Sequence, residues 1–397
     1  MAKQTILLSG MIAGDPHQGG ATWAVLQYVL GLRRLGHDVY LVEPVTQAAL
    51  GPWKQHVYLV EPGKEAGCFE TSINGDYFLH VAKSFGLENK ASLVLVGTRQ
   101  TLGLPYHHLE QVAQNADLLI NISGMLTDPA LTEPIRTRVY LDLDPAFNQL
   151  WHVAQGIDMR FAGHTHFVTI GLAIGRADCA VPTCGRKWIT TRQPIVLEHW
   201  PVAGAIVHDG LTTVGNWRGY GSITLDGVFY GQKAHSLREF IQLPKLTPEK
   251  LMPALAIHHA ELKDLNALVD NGWILLDPGD VANTPEQYRQ FIQGSKAEFG
   301  IAKSGYVVSR CGWFSDRSIC YLASGRPVIA QETGFSRFLP SGEGLFSFTT
   351  CDEVLSAIEV INSDYRRQSR AARDIAQEYF DSDKVLTRLL QEVGVAS

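Results

Sequence analysis

Short runs of uninterrupted apolar residues, each stopped by turn formers, set the strongest limit on how this chain folds. In the first half they cover 5–9, 39–43, 93–97, 118–122, 139–143 and 167–171. Continuous apolar character, rather than alternation, belongs to strands covered on both faces, and so to a mostly parallel sheet. Between the first two runs, residues 20–35 carry Trp23, Leu26, Val29 and Leu30 at helical spacing. Arg33 and Arg34 stand near the end of that helix and Gly36 stops it. This is a βαβ opening.

The second half repeats the theme, with strands expected at 212–215, 273–276, 306–309, 328–330 and 345–348. Helices are expected near 236–242, 285–293, 318–323 and 352–361, and a long charged one over 364–379. Prolines frame an extended crossover at 193–201. At 397 residues the chain is too long for one ordinary core. The expectation is an α/β fold of two Rossmann-like domains facing across a cleft. The first domain is placed at 1–205 and the second at 206–375, with 376–397 crossing back toward the first.

Composition narrows the function class. A hydrophobic share of 45% and a charged share of 19% suit a soluble globular protein. The net charge of -6 argues against non-specific nucleic-acid binding. The six cysteines form no CxxC pair, so reduced and mostly buried thiols are expected rather than a zinc site. No signal-peptide core and no apolar stretch of about 18 residues occurs, which makes the cytoplasm the expected location and a membrane span unexpected.

Two glycine-bearing turns draw attention as ligand sites. The first, Asp15-Pro16-His17-Gln18-Gly19-Gly20, lies between the first strand and its helix. It lacks both GxGxxG and the lysine of a P-loop, leaving a backbone that a ligand can approach closely at Gly19 and Gly20. His17 at its lip is the leading candidate base, because an imidazole titrates near neutral pH. Asp142 and Asp144 fall on one side of the strand at 139–143, where one could orient His17 or hold hydroxyls. His164 and His166 share a face of an extended segment; His164 is the second acid/base candidate, and no metal is assigned because no third ligand has a defined spacing.

The second turn runs Ser309-Arg310-Cys311-Gly312-Trp313-Phe314-Ser315-Asp316-Arg317-Ser318. Ser315 or Asp316 can cap the helix that follows, while its free N–H groups, with Ser318, can hold an anionic phosphate. Arg310 adds a cation, and Arg317 lies in the same helix start. Upstream, Arg218 ends a strand and Lys233 follows on the next turn, a pairing suited to a diphosphate clamp. Glu332, Thr333 and Gly334 reach the same rim after the strand at 328–330, where Glu332 could accept hydrogen bonds from sugar hydroxyls.

These residues resemble those of glycosyltransferases with the GT-B architecture. Gly19-Gly20 with Leu35-Gly36-His37-Asp38-Val39 is similar to the "GG…L…GH-x-V" opening of those enzymes. Arg218 and Lys233 resemble the "GR…K" phosphate contacts of the retaining, sucrose-synthase-like group. Cys311-Gly312-Trp313 and Gly325-Arg326-Pro327-Val328 resemble that group's "G-x-P-V" signature and the "HCGW" box of the inverting UDP-sugar group. The chain also departs from both patterns. Trp313 and Cys320 stand where the retaining group has paired glutamates, and Arg310 replaces the inverting group's phosphate-binding histidine.

The resemblance implies transfer of a sugar from a nucleotide-diphosphate sugar, UDP-sugar favoured, to a hydroxyl of a small molecule or glycan. No cofactor beyond that co-substrate is implied. A nucleotide-sugar epimerase of the same fold and a non-catalytic nucleotide or sugar-phosphate binder stay open. Expected partners are the acceptor and the nucleotide sugar, with a homodimer also open.

Overall fold

The computed structural model describes residues 2–50 and 67–395. Two sheets organise them. The first has the order β4-β3-β2-β1-β5-β6-β7-β8. Its members are β1 (Thr5–Ser9), β2 (Asp38–Val45), β3 (Ala91–Leu95), β4 (Thr101–Gly103), β5 (Leu118–Ile122), β6 (Thr137–Asp142), β7 (His166–Thr169) and β8 (Trp188–Thr190). All pairs are parallel except β3 with β4. Ile6, Leu7, Leu8, Leu118, Leu119 and Ile120 are wholly buried, as central strands covered on both faces must be.

The second sheet has the order β12-β9-β13-β14-β15 and is parallel throughout. It comprises β9 (His208–Asn216), β12 (Leu251–Ala256), β13 (Ser295–Gly300), β14 (Val328–Gln331) and β15 (Leu345–Phe348). A hairpin of β10 (Ile223–Leu225) and β11 (Val228–Tyr230) is inserted after β9. Both sheets follow the doubly wound pattern, in which the strand order reverses beside the first strand. The chain is thus two Rossmann-like lobes.

Helix α1 (Gly19–Arg34) opens the first lobe, buries Trp23, Leu26 and Val29, and ends where Gly36 turns left-handed at φ +90. The crossover at 193–201 is extended near its start. There Ile195 N donates to Phe380 O at 2.7 Å, and Ser382 N donates to Ile195 O at 2.9 Å. The charged Tyr365–Ile375 helix packs on the Asp316–Ala323 helix of the second lobe. The chain crosses only after it, through a π-turn at Ala376–Phe380, and the Ser382–Glu392 helix then lies on α1.

Two expectations for the second lobe are corrected. Residues 306–309 are not a strand but the end of the Ser304–Ser309 helix. Gly305 lets that helix lie flat on Phe147, whose Cζ would be 2.5 Å from an added Cβ, and Arg310 closes it in the left-handed region at φ +48. The strand feeding this region is β13, where Lys296 and Glu298 interrupt the apolar run. The 273–276 segment forms no strand: Ile274 N and Leu276 N donate to Leu251 O and Pro253 O of β12, and only Leu276 makes a bridge, to Ala254. All six cysteines are unpaired thiols, with Cys311 and Cys320 buried, Cys179, Cys184 and Cys351 half-buried, and Cys68 exposed.

Candidate functional site

In a doubly wound sheet, ligands bind where the strand order reverses, outside the carboxyl ends of the strands. In the second lobe that point lies between β9 and β13. A cationic cluster is built there. Lys233 begins the Lys233–Glu239 helix and is only 8% exposed; its Nζ donates to Ile301 O at 2.7 Å. A Cβ on Gly215 would stand 3.3 Å from that Nζ, so the ammonium lies against the end of β9. Arg317 donates through Nε to Glu298 Oε1 at 2.6 Å and through Nη1 to Val214 O at 2.8 Å.

Glu298 is 0% exposed, and its Oε2 has no partner among the described residues. Arg317 is paired with this carboxylate, while the Lys233 ammonium is held by a backbone carbonyl, with Asp316 as the other acid close to both cations. Burial, with Arg317 close by, pushes the Lys233 ammonium well below the usual lysine range. An anion arriving here would gain from both.

The other donor-side candidates sit around this cluster in different states. Ser315 occupies the N-cap position of the Asp316–Ala323 helix without a side-chain cap bond, and Ser315 and Ser318 are buried. Burial pushes the Asp316 carboxyl up. Arg218 is half-exposed and ion-paired with Glu261 at 2.5 Å. Arg310 is exposed, and its carbonyl accepts from Arg337 Nη2 at 3.1 Å.

Glu332, Thr333 and Gly334 fold back onto the 310–313 loop. Gly334 N donates to the Glu332 carboxylate, Thr333 Oγ1 donates to Trp313 O, and Gly312 N donates to Thr333 O at 2.8 Å. Gly334 is needed because its φ is +92 and a Cβ would come 2.7 Å from Arg310 O.

On the first lobe, the loop after β1 is clamped from β2. Glu43 is fully buried and accepts from Ile12 N at 2.8 Å, Ala13 N at 2.8 Å and Gly14 N at 2.6 Å. Burial still pushes its carboxyl up to about 7. Asn74 Nδ2 adds a bond to Ala13 O at 2.6 Å. His17 stands at the end of this clamped loop in the left-handed region, φ 63, with its ring 5.0 Å from Tyr77. Burial lowers its pKa, which keeps the imidazole neutral at neutral pH and ready to accept a proton.

The remaining first-lobe candidates are placed elsewhere. The space at Gly19 and Gly20 is filled by the second lobe. Gly19 N donates to Ala282 O at 2.8 Å, a Cβ there would overlap the Thr284 carbonyl, and one on Gly20 would come 2.9 Å from the Tyr288 ring. Lobe packing, not ligand approach, requires these glycines.

Asp142 is fully buried and takes four bonds: Asn148 Nδ2 at 2.7 Å, Gln149 Nε2 at 2.8 Å, Thr169 Oγ1 at 2.8 Å and Asp144 N at 3.0 Å. It braces its own loop and does not reach His17. Burial pushes it up to about 6. His164 lies within 3.1 Å of Asn121 Nδ2, and His166 within 2.9 Å of Thr165 Oγ1. His17, Asp142 and His164 thus belong to three separate environments.

The sequence matches no protein-family model and no curated protein. Solved structures do match, over nearly the whole chain. An alpha-glucosyltransferase in complex with UDP and a 13-mer DNA aligns at TM-score 0.62 and 11% identity, covering 99% of this chain and 100% of that one. The Anabaena protein HepE in complex with UDP and glucose aligns at 0.57 and 12%, covering 98% and 99%. Sucrose-phosphate synthase from Thermosynechococcus elongatus aligns at 0.53 and 13%, covering 100% of both. The fold is GT-B.

One feature of this GT-B chain was invisible in the sequence. Asp144, from the loop after β6, meets Lys303, Tyr220 and Tyr306 of the second lobe. Lys303 Nζ lies 3.2 Å from both carboxylate oxygens, and both tyrosine hydroxyls bond the same carboxylate. Trp313 stacks on Tyr306 at 4.3 Å. Lys303 follows β13 directly, so this inter-lobe cluster stands at the GT-B switch point beside Lys233 and Arg317. Apart from Lys303 and Tyr306, three positions apart at one helix start, the partners come from stretches that no spacing rule connects. Glu298 had a weaker signal, a carboxylate within a strand-like run. Among the described residues no group of three or more His, Cys, Asp or Glu could hold a metal ion, and no helix is long and apolar enough to cross a membrane.

Proposed function

We propose that the chain is a glycosyltransferase that moves a hexosyl group from a UDP-sugar to a hydroxyl of a small-molecule or glycan acceptor. The observation that carries this reading is the pair of basic side chains, Lys233 and Arg317, buried together at the second switch point, Lys233 on a backbone carbonyl and Arg317 on Glu298. UDP in two of the GT-B neighbours supports the choice of nucleotide.

In this reading Lys233, Arg317 and the N–H groups after Ser315 hold the diphosphate. The bond from the sugar's anomeric carbon to the diphosphate breaks, and its electron pair leaves with UDP, where the fixed cations stabilise it. The acceptor oxygen forms the new bond to that carbon, and His17 takes the acceptor's proton. Asp144 and Lys303 hold the lobes together around the reactants. Charge neutralisation falls to side chains, so a transfer rate unaffected by EDTA is expected.

The test is a thermal-shift series with UDP, GDP, TDP and ADP, followed by UDP release from UDP-glucose with sugar, glycan and DNA acceptors. UDP should raise the melting temperature most, and Lys233→Ala should abolish the rise. Release that requires an acceptor supports transfer. No stabilisation by any nucleotide, or equal stabilisation of Lys233→Ala, would overturn the reading.

A further inference from the structure

A second cationic cavity lies away from the switch points, where three parts of the molecule meet. Its volume is about 340 Å³. The end of β8 and residues 189–192 form one wall, Phe338 of the second lobe another, and the π-turn with the Ser382–Glu392 helix the third. The lining carries Arg176, Arg192, Lys384 and Arg388 against Glu378 and Glu392. In a chain of net charge -6, that local excess of cations is against the trend.

The two carboxylates are already engaged. Lys384 Nζ bonds Glu378 Oε2 at 2.7 Å, and Arg388 Nε bonds Glu392 Oε1 at 2.8 Å. Arg192 is different. Its Nη2 donates to Phe338 O at 3.3 Å, its guanidinium lies 5.3 Å from the Tyr379 ring, and its Nε is buried with no partner among the described residues. Among the described residues no carboxylate pairs with it, and burial together with Arg388 lowers its pKa. The two wall carboxylates, Glu378 and Glu392, are paired with Lys384 and Arg388 instead.

We propose that this cavity is a binding site for a compact phosphorylated metabolite, whose phosphoryl group accepts the Arg192 fork with help from Arg388. A planar guanidinium with free donors matches phosphate geometry, and the volume admits a phosphoryl group on a small carrier. Arg192 immediately precedes the crossover between lobes, and the opposite walls belong to other parts of the chain. The bound anion therefore fastens the present lobe arrangement. Coupling to the donor site would rest on the glycosyltransferase reading; the anion site itself does not.

The experiment is isothermal titration with inorganic phosphate and with glycerol 3-phosphate at constant ionic strength, on the full chain and on four variants. Wild type and Lys233→Ala should both bind saturably, because the donor cluster is not involved. Arg192→Gln and Arg388→Gln should each weaken binding at least about tenfold, and Arg192→Lys should retain part of it. Arg388 is largely exposed, so its variant reports on the site even if Arg192→Gln fails to fold. Absence of saturable binding to wild type, loss in Lys233→Ala, or unchanged binding in Arg388→Gln would each overturn the proposal.

Discussion

Glu43 and Asp142 are buried acids, and burial pushes their carboxyls up to about 7 and about 6. The unfolded chain releases those protons near pH 4, so between these limits the folded chain binds more protons than the unfolded one. Stability is therefore greatest on the acid side of this window and falls as pH rises through the folded values. Urea titrations should show wild type losing on the order of 3 kcal/mol per group across it. Glu43→Gln, neutral at every pH, should flatten a large part of that slope; an unaltered slope would show that Glu43 is ionised throughout. His17 shifts the other way. If it is the base, the acid limb of the transfer rate lies below pH 6.5, and His17→Gln removes that limb while lowering kcat by about 10²–10⁴. Persistence of the limb in His17→Gln would reassign the base.

Elements were readable to the extent that their burial was written in uninterrupted apolar residues. β1, β5 and β15 fall on the expected limits because their neighbours above and below are apolar throughout. β13 escaped because Glu298, a charge in mid-strand, is neutralised by Arg317 from nineteen positions later, and pairing at that distance leaves no local trace. β12 contains Pro253, which argues against a central strand; it is tolerated because β12 is the edge strand of its sheet, with only the 273–276 segment lying beyond it. The Val307-Val308 pair favoured a strand, yet Gly305 and the left-handed Arg310 fit a short helix against Phe147.

The α1 start shows the same limit at the candidate site. A glycine pair at a strand–helix turn reads as a ligand cradle, whereas here it meets the Pro285–Gly294 helix of the other lobe. Gly19→Ala should accordingly destabilise the chain by about 1–3 kcal/mol through overpacking, measured as a lower urea midpoint. A neutral effect would mean the lobes part readily at this contact.

At the scale of the whole molecule, the two lobes are tied on one side by Gly19 against Ala282 and on the other by Asp144 against Lys303. The second tie is a half-buried ion pair, and removing one partner leaves a charge without compensation. Asp144→Ala should cost roughly 3–5 kcal/mol, and the Asp144→Ala, Lys303→Met double variant should recover much of that loss. Additive losses in the double-mutant cycle would show that the two residues act independently.

The Ser382–Glu392 helix settles on α1 so closely that a Cβ on Gly31 would lie 2.5 Å from Leu386. Synthesis therefore delivers α1 long before the helix that shields it. While some 350 intervening residues emerge, that flank of α1 stays bare, a period in which a chaperone or a neighbouring nascent chain finds an apolar foothold.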